Sequence, residues 1–508
     1  IEDVVSLFTF IDFVIMRFPI LLFYFIQLFY HKLSNYYISR FALLSTSKSL
    51  LRDSFIDFSH NHHFHIIYKF SFTVTNFIFF CGRIQPMKIL VITMFILMYV
   101  VMIFFQKFRV HAALTSAAVF LIAGVMSAST AIQSVNWNIL LMISGTMILV
   151  HYFIDSKMPN KLADILLDKS KNMMMVIIFM SLFSGFISAF VDNVATVLMV
   201  APVGLAICRK LDVSPVPMTL SIAVSSNLQG AATLVGDTTS MMLASYAKMD
   251  FSSFFVFHGK PGIFFAVELG ALATVPVMMI LFRKYRQPVA AEEYTEVKNL
   301  VPTYMLVGLV ATLIFVSFFP SKPDITNGAI CITFAIISII FDYTKRRDGD
   351  RAIAALKDAD IETLLLLFGL FIVIAGLTEV GVIKDLSDLI VRTGGSNMFL
   401  LYTIIVWGSI LISAFVDNIP YVATMLPVLQ GVTATLGVDP TLLYLGLLCG
   451  ATLGGNLTPV GASANITAVG ILRKNGEIVT FAEFMKIGVP FTLTAATVGY
   501  AFIWFIYG

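Results

Sequence analysis

The sequence predicts an all-α polytopic membrane protein built from two repeats, and three observations lead to this prediction. First, 58% of its 508 residues are hydrophobic and only 12% are charged, about half the charged fraction of a soluble domain. Second, apolar runs separated by short polar breaks continue from residue 88 to 507, far beyond the needs of one anchor. Third, the string Ile-Ser-Ala-Phe-Val-Asp-Asn occurs twice within such runs, at residues 187–193 and 412–418. We therefore expect a multi-pass protein of the cell (inner) membrane, with the lipid bilayer as its surroundings.

The remaining composition argues against several other classes of protein. The net charge of +3 indicates cytoplasmic loop charges under the positive-inside rule rather than a nucleic-acid surface, so we predict no nucleic-acid partner. Cys81, Cys208, Cys331 and Cys449 lack CxxC or metal-ligand spacing, which disfavours a disulfide framework or a zinc site. The sequence shows no nucleophile triad and no phosphate-binding loop. We predict that the chain is not an enzyme and uses no cofactor besides a coupling ion.

The first 86 residues differ from the rest of the chain. They are rich in Phe, Ile, Tyr, Ser and His, whereas Met87-Lys88 opens a clean apolar run of the kind that starts a membrane protein. The segment is too long and irregular for a simple signal peptide. We interpret residues 1–86 as an atypical extension that is foreign to the functional unit. The alternative is two genuine spans, near residues 7–30 and 64–81.

An internal duplication organises the remainder of the chain. The two heptads start 225 residues apart, at positions 187 and 412. At the same offset a second set of residues agrees: Leu228, Gly230, Thr233, Val235 and Gly236 match Leu453, Gly455, Thr458, Val460 and Gly461. One register that aligns two separate motifs indicates a duplicated unit. We assign repeat 1 to residues 87–282, a charged cytoplasmic linker to 283–300 and repeat 2 to 301–508. The pattern leaves open whether the repeats are parallel or inverted.

The first pair of motifs consists of the two heptads. Its candidate binding residues are Ser188, Asp192, Asn193, Ser413, Asp417 and Asn418. An aspartate within the membrane is costly, so it marks a functional site by default. We expect a hairpin with Asp-Asn at its tip, whose oxygens suit Na+ and whose carboxylate can carry a proton. Within a helix, Ser188 and Asp192 would share one face. The alternative is that the two aspartates only cap helices.

The second pair of motifs covers residues 226–237 and 450–465. Glycines, small polar residues and one proline interrupt apolar segments here, as a discontinuous helix requires. Its candidate binding residues are Asn227, Thr233, Gly236, Asp237, Asn456, Thr458, Gly461, Ser463 and Asn465. Close helix packing is the alternative, but it leaves the amides and hydroxyls unexplained. Because none of the four motifs contains Lys or Arg, we expect helix dipoles, amides, hydroxyls and bound cations to hold any anion.

Together these strings resemble the ion transporter superfamily. That group includes arsenite efflux pumps, D-type Na+/H+ antiporters, citrate and dicarboxylate transporters, and the melanosomal P protein. The resemblance covers about residues 88 to 507 and is closest to the arsenite pump and P-protein branch. It implies an elevator-type fold of two inverted repeats with re-entrant hairpins and broken helices. One departure is Gly236-Asp237-Thr238-Thr239-Ser240, where the family usually reads Gly-Asp-Pro-Pro-Asn.

The resemblance also implies a function. Carried over by motif, the tips Asp192-Asn193 and Asp417-Asn418 would bind Na+ together with substrate. We expect a secondary active transporter that moves a small inorganic or carboxylate anion, such as citrate, a dicarboxylate or arsenite. The coupling ion is Na+ or H+, in symport or antiport. The alternatives are a Na+/H+ antiporter without an organic substrate, and a channel or scaffold without coupled transport. Elevator members of the family often dimerise, so a homodimer is also implied.

Overall fold

A computed structural model describes residues 86–289, 295–297, 299–319, 321–346, 354–356, 360–395 and 397–508. The extension predicted for residues 1–86 lies outside the described residues apart from Pro86, and the linker at 283–300 is described only in part. The helices of the first half are α1 (Pro86–Phe104), α2 (Arg109–Ile122), α3 (Ala128–Ser134), α4 (Trp137–Asp155), α5 (Met158–Asp168), α6 (Met173–Ser188), α7 (Asn193–Lys210), α8 (Val216–Gly230), α9 (Thr238–Ala247) and α10 (Ile263–Leu281). Between α9 and α10 lies a two-stranded antiparallel sheet, β1 (Val256–Phe257) and β2 (Lys260–Pro261).

The second half is helical as well. Its helices are α11 (Val301–Val316), α12 (Thr326–Arg346), α13 (Ile361–Glu379), α14 (Val382–Gly394), α15 (Met398–Ser413), α16 (Asn418–Leu436), α17 (Thr441–Gly454), α18 (Ser463–Lys474) and α19 (Phe481–Tyr507). Within the described residues, eight helices are long and apolar enough to cross a membrane, or nine if the bent pair α14 and α15 forms one span. The predicted all-α multi-pass architecture is confirmed.

The duplication is visible in local structure. Asn172 and Asn397, which lie 225 residues apart, cap α6 and α15 by accepting a hydrogen bond from the backbone N–H three residues further on. Asparagine suits this position because its short side chain satisfies a free N–H at the start of a helix. Pro215 and Pro440, at the same offset, immediately precede α8 and α17. Helix α6 packs on α8 as α15 packs on α17. The sequence repeat is therefore a repeat of structure.

The first hairpin, α6–α7, enters from the face of the protein that carries basic residues. The backbone N–H groups of Met173 and Met174 donate to the carbonyl oxygens of Gln287 (3.0 Å) and Tyr285 (2.8 Å). These acceptors follow α10, one within the basic stretch 283–286 and one directly after it, and the positive-inside rule predicts that this stretch is cytoplasmic. By this rule the start of α6 is predicted to lie on the cytoplasmic face.

The second hairpin, α15–α16, enters from the opposite face. Thr403 near the start of α15 shares a 2.8 Å hydrogen bond with the hydroxyl of Tyr500, late in α19. The hydroxyl of Tyr507, in the last turn of α19, donates to the carbonyl oxygen of Pro261, which precedes α10. Because α10 crosses the membrane, its two ends lie on opposite faces, and so do the two hairpins. The repeats are inverted, as the resemblance implied.

The two broken helices run through the centre of the protein. Every residue of α17 is buried, and so is α8 from Met218 onward. With 14 and 15 residues they extend for about 21 to 23 Å, which is less than a bilayer core of about 30 Å. Both therefore end at membrane depth. There the chain unwinds and continues as α18 and α9.

Candidate functional site

Each hairpin turns at its Asp-Asn pair, and each aspartate caps the returning helix. Asp192 accepts hydrogen bonds from the backbone N–H of Val194 (2.9 Å) and Ala195 (3.2 Å) at the start of α7. Asp417 accepts one from Ile419 (3.3 Å) at the start of α16. The condition for a shared helical face of Ser188 and Asp192 is not met, because α6 ends at Ser188 and Asp192 lies beyond it. The capping alternative therefore describes part of what both aspartates do.

Two threonines fasten the hairpin tips to the broken helices. The hydroxyl of Thr233 donates to the carbonyl oxygen of Ala189, and the hydroxyl of Thr458 donates to that of Ala414. Both pairs obey the 225-residue offset, and both threonines are buried. These predicted site residues thus act on the backbone of the tips and are not among the residues that line the cavity between the tips.

The two serines of the heptads also face the broken helices. Ser188 accepts a 3.0 Å hydrogen bond from the hydroxyl of Ser226 in α8. The hydroxyl of Ser413 donates to the carbonyl oxygen of Ala451 in α17, at 2.6 Å. Both serines are fully buried. Together with the threonines, they bind each hairpin to its own broken helix.

Gly236 and Gly461 lie where the backbone of each tip crosses an unwound segment. A Cβ atom on Gly236 would come within 2.6 Å of the carbonyl oxygen of Ser188. A Cβ on Gly461 would come within 2.7 Å of that of Ala414. Only glycine permits such a close approach of two backbones. The requirement for glycine is therefore steric at both positions.

A buried network of four asparagine side chains joins the two halves. Asn193 Nδ2 donates to Asn227 Oδ1 at 3.0 Å. Asn227 Nδ2 then uses both of its hydrogens, on Asn456 Oδ1 (2.8 Å) and Asn465 Oδ1 (2.9 Å). Asn227, Asn456 and Asn465 are completely buried. The network connects the first tip and first broken helix to the second broken helix, so these amides serve assembly.

The second tip contacts the first broken helix through Asp237. Asn418 Nδ2 donates to Asp237 Oδ2 at 3.4 Å, and the hydroxyl of Thr239 donates to the same oxygen at 2.8 Å. Asp237 is only 2% exposed. Thr239 stands where the family usually has proline, and its hydroxyl supplies a hydrogen bond that proline lacks. The departure from the family motif thus stabilises a buried carboxylate.

A cavity of about 280 Å³ lies between the two tips. The predicted site residues that line it are Asp192, Asn193, Asp237, Asn418 and Ser463. The other charged residues that line it are Lys107, Arg109, Asp360 and Glu362. Asp360 and Glu362 stand at the start of α13. The basic end of α12 precedes α13 in the chain, so the positive-inside rule predicts that the mouth of the cavity lies on the cytoplasmic face.

Arg109, the first residue of α2, is a site residue that the sequence motifs did not reveal. Its Nη1 atom donates to Asp417 Oδ2 at 3.3 Å and to Ser463 Oγ at 3.2 Å. The hydroxyl of Ser463 in turn donates to Asp417 Oδ2 at 2.9 Å. The four motifs contain no basic residue, but tertiary packing brings Arg109 to them across 308 residues of sequence. Its only signal was a basic residue after an apolar run.

This arrangement defines a class of protein. Inverted repeats that place two hairpin tips and two broken helices around a polar cavity at membrane depth are typical of secondary transporters. The family model described as citrate transporter, CitMHS, matches residues 99–448 and 350–508. The chain belongs to this family of membrane transporters.

Individual relatives agree with this assignment. An uncharacterized transporter of Mycobacterium tuberculosis is 29% identical over 437 residues, covering 83% of this chain and 99% of the relative. The P protein of Mus musculus is 25% identical over 459 residues, covering 73% of this chain and 54% of that protein. Among solved structures, the Alcanivorax borkumensis YdaH transporter aligns with a TM-score of 0.52 and 12% identity, over 76% of this chain and 87% of that one. Neisseria gonorrhoeae MtrF, an antimetabolite efflux pump, aligns with a TM-score of 0.51 and 12% identity, over 77% and 84%. The structural matches support the fold.

Proposed function

We propose that this transporter carries a small anion of the citrate, dicarboxylate or oxyanion class, driven by a Na+ or H+ gradient. The observation that supports this most directly is the pairing of Arg109 with Asp417 at a cavity that carboxylates also line. A guanidinium binds carboxylates and oxyanions through its planar array of N–H groups. Carboxylate and amide oxygens are hard ligands suited to Na+. The cavity thus offers groups for both an anion and a cation.

The proposed coupling is tested by two conservative substitutions. Asp192→Asn and Asp417→Asn keep a side-chain oxygen that can cap the following helix but remove the negative charge. We expect each variant to reach the membrane and to lose gradient-driven uptake by at least tenfold in proteoliposomes. Wild-type uptake in either variant would show that the aspartates serve only as caps.

The substrate class is tested with an uptake panel. Citrate, succinate, sulfate and arsenite are each offered to proteoliposomes under an inward Na+ gradient, an inward H+ gradient, or neither. We expect one chemical class to accumulate, and only with one of the gradients. Equal uptake with and without gradients would instead indicate a channel.

A Na+/H+ antiporter without an organic substrate is the second candidate. It is favoured by the excess of acidic residues around the cavity, where four carboxylates, Asp192, Asp237, Asp360 and Glu362, oppose Lys107 and Arg109. Such a surface attracts cations and repels a bare anion. Na+-dependent proton flux with no added anion would support antiport, and flux that requires the anion would exclude it.

A further inference from the structure

The two hairpin tips have the same sequence but different electrostatic partners. Asp192 receives its hydrogen bonds from two backbone N–H groups, and both fall on Oδ2. Asp417 receives one backbone hydrogen bond on Oδ1, and its Oδ2 accepts from Arg109 and Ser463. Asp417 is therefore paired with a positive charge, whereas Asp192 accepts its hydrogen bonds from the start of the helix that it caps.

Among the residues that the structure describes, the second tip has an arginine partner and the first has none, although the helix that carries the arginine has a counterpart in the other repeat. Helix α2 packs on α13, and its counterpart α12 packs on α4. Arg109 begins α2, whereas the uncharged Thr326 begins α12. Thr326 lines a second cavity of about 330 Å³, and Arg109 lines the cavity at the tips. The arginine is therefore one of the residues that make the two halves of the duplicated site different.

Arg109 occupies Oδ2 of Asp417, one of the two carboxylate oxygens that a metal cation at the second tip could bind. Its Nη1 atom is 3.3 Å from Asp417 Oδ2, and the two side chains are only 22% and 21% exposed. Opposite charges at this distance attract strongly when they are shielded from water. A cation that binds Asp417 through Oδ2 displaces the guanidinium, which then has all its N–H groups available for another partner in the cavity.

We propose that Arg109 is a built-in cation that occupies Asp417 until Na+ replaces it, and that the released guanidinium then binds the transported anion. This inference rests on the proposed function and names the residue that links its two ligands. Na+ acts twice, because it offsets the excess of carboxylates and frees the anion-binding group. Each ligand therefore favours binding of the other, as thermodynamic linkage requires.

The experiment measures Na+ and citrate binding to the purified full-length protein by isothermal titration. The variants are Arg109→Gln, Arg109→Lys and, as a charge-matched comparison, Lys107→Gln, which removes a positive charge from the same cavity two residues away. We expect Arg109→Gln to tighten Na+ binding at least tenfold and to weaken citrate binding, at saturating Na+, at least tenfold. Arg109→Lys should lie between the wild type and Arg109→Gln for both ligands. Lys107→Gln should tighten Na+ binding by a smaller factor than Arg109→Gln does, because it changes the charge of the cavity without freeing Asp417 Oδ2.

A second variant separates competition from simple misfolding. In Asp417→Asn the guanidinium of Arg109 lacks its carboxylate partner even when no cation is bound. We expect citrate binding to this variant to be independent of Na+, whereas wild-type binding rises at least tenfold between Na+-free buffer and saturating Na+. A misfolded variant would bind no citrate under either condition.

Several outcomes would overturn the inference. They are an Arg109→Gln variant that resembles Lys107→Gln, Na+ binding that weakens or is absent in Arg109→Gln, and citrate binding to Asp417→Asn that still requires Na+. Failure of the proposed function looks different. In that case wild-type protein binds none of citrate, succinate, sulfate or arsenite, while Na+ affinity still responds to Arg109→Gln.

Discussion

Removal of the Asn227 side chain is the sharpest test of how the two halves are held together. Asn227→Ala leaves three buried polar atoms without their partner: Asn193 Nδ2, Asn456 Oδ1 and Asn465 Oδ1. Each stranded group costs about 1 to 3 kcal/mol. Water that enters the vacated space recovers part of this cost. We expect the free energy of unfolding to fall by about 3 kcal/mol or more.

The repeat supplies a matched control at position 452, which lies 225 residues after Asn227. Thr452 is equally buried, but its hydroxyl has no hydrogen-bond partner among the residues that the structure describes. Thr452→Val removes that hydroxyl at nearly constant shape, so we expect a change within about 1 kcal/mol, neutral or stabilising. Both free energies are measured by reversible unfolding in mixed dodecyl maltoside and SDS micelles. Equal decreases in the free energy of unfolding of the two variants would refute the conclusion that the asparagine network stabilises the contact between the two halves.

The remaining predictions concern backbone contact, access and surface charge. Gly236→Ala should abolish uptake or lower the midpoint of thermal unfolding, because its Cβ would come within 2.6 Å of a carbonyl oxygen, whereas Gly470→Ala, with open space around its Cβ, should leave both unchanged. A cysteine at Thr467, which lines the cavity at the tips, should react with a membrane-impermeant thiol reagent from the cytoplasmic side, and one at Asn327, which lines the second cavity, from the other side. The reverse labelling pattern would contradict the assigned orientation. Lys88→Met removes an ion pair with an aspartate that is 62% exposed, so stability should change by less than about 1 kcal/mol in the same unfolding assay.

The sequence predicts those parts of the site whose residues occur in both repeats. The Asp-Asn tips and the glycine-rich breaks stand out because a fixed offset relates them, and polar residues within apolar runs demand a reason. Their local geometry follows from short-range chemistry, such as the capping of α7 by Asp192. For the same reason the 225-residue offset alone identifies Gly236 and Gly461 as site candidates, whereas their steric role is visible only in the structure.

Other features of the site depend on contacts that no local pattern encodes. Arg109 and Glu362 lie at the ends of ordinary apolar runs, where charged residues are common. Only tertiary packing distinguishes the arginine that reaches Asp417 from the lysine two residues earlier. The pattern likewise did not separate Asn456, which serves assembly, from Ser463, which lines the cavity. Each is a polar residue in an apolar segment, and only their neighbours differ.

The asparagine network has a consequence for synthesis of the protein. Asn227 belongs to the first half, but its acceptors are 229 and 238 residues further along the chain. At about 5 to 20 residues per second, a ribosome needs roughly 12 to 48 s to reach them. During that interval the two N–H hydrogens of Asn227 lack the acceptors that they have in the folded protein, and α8 is too short to span the bilayer alone. The first half can therefore complete its buried hydrogen bonds only after the second half has been synthesised.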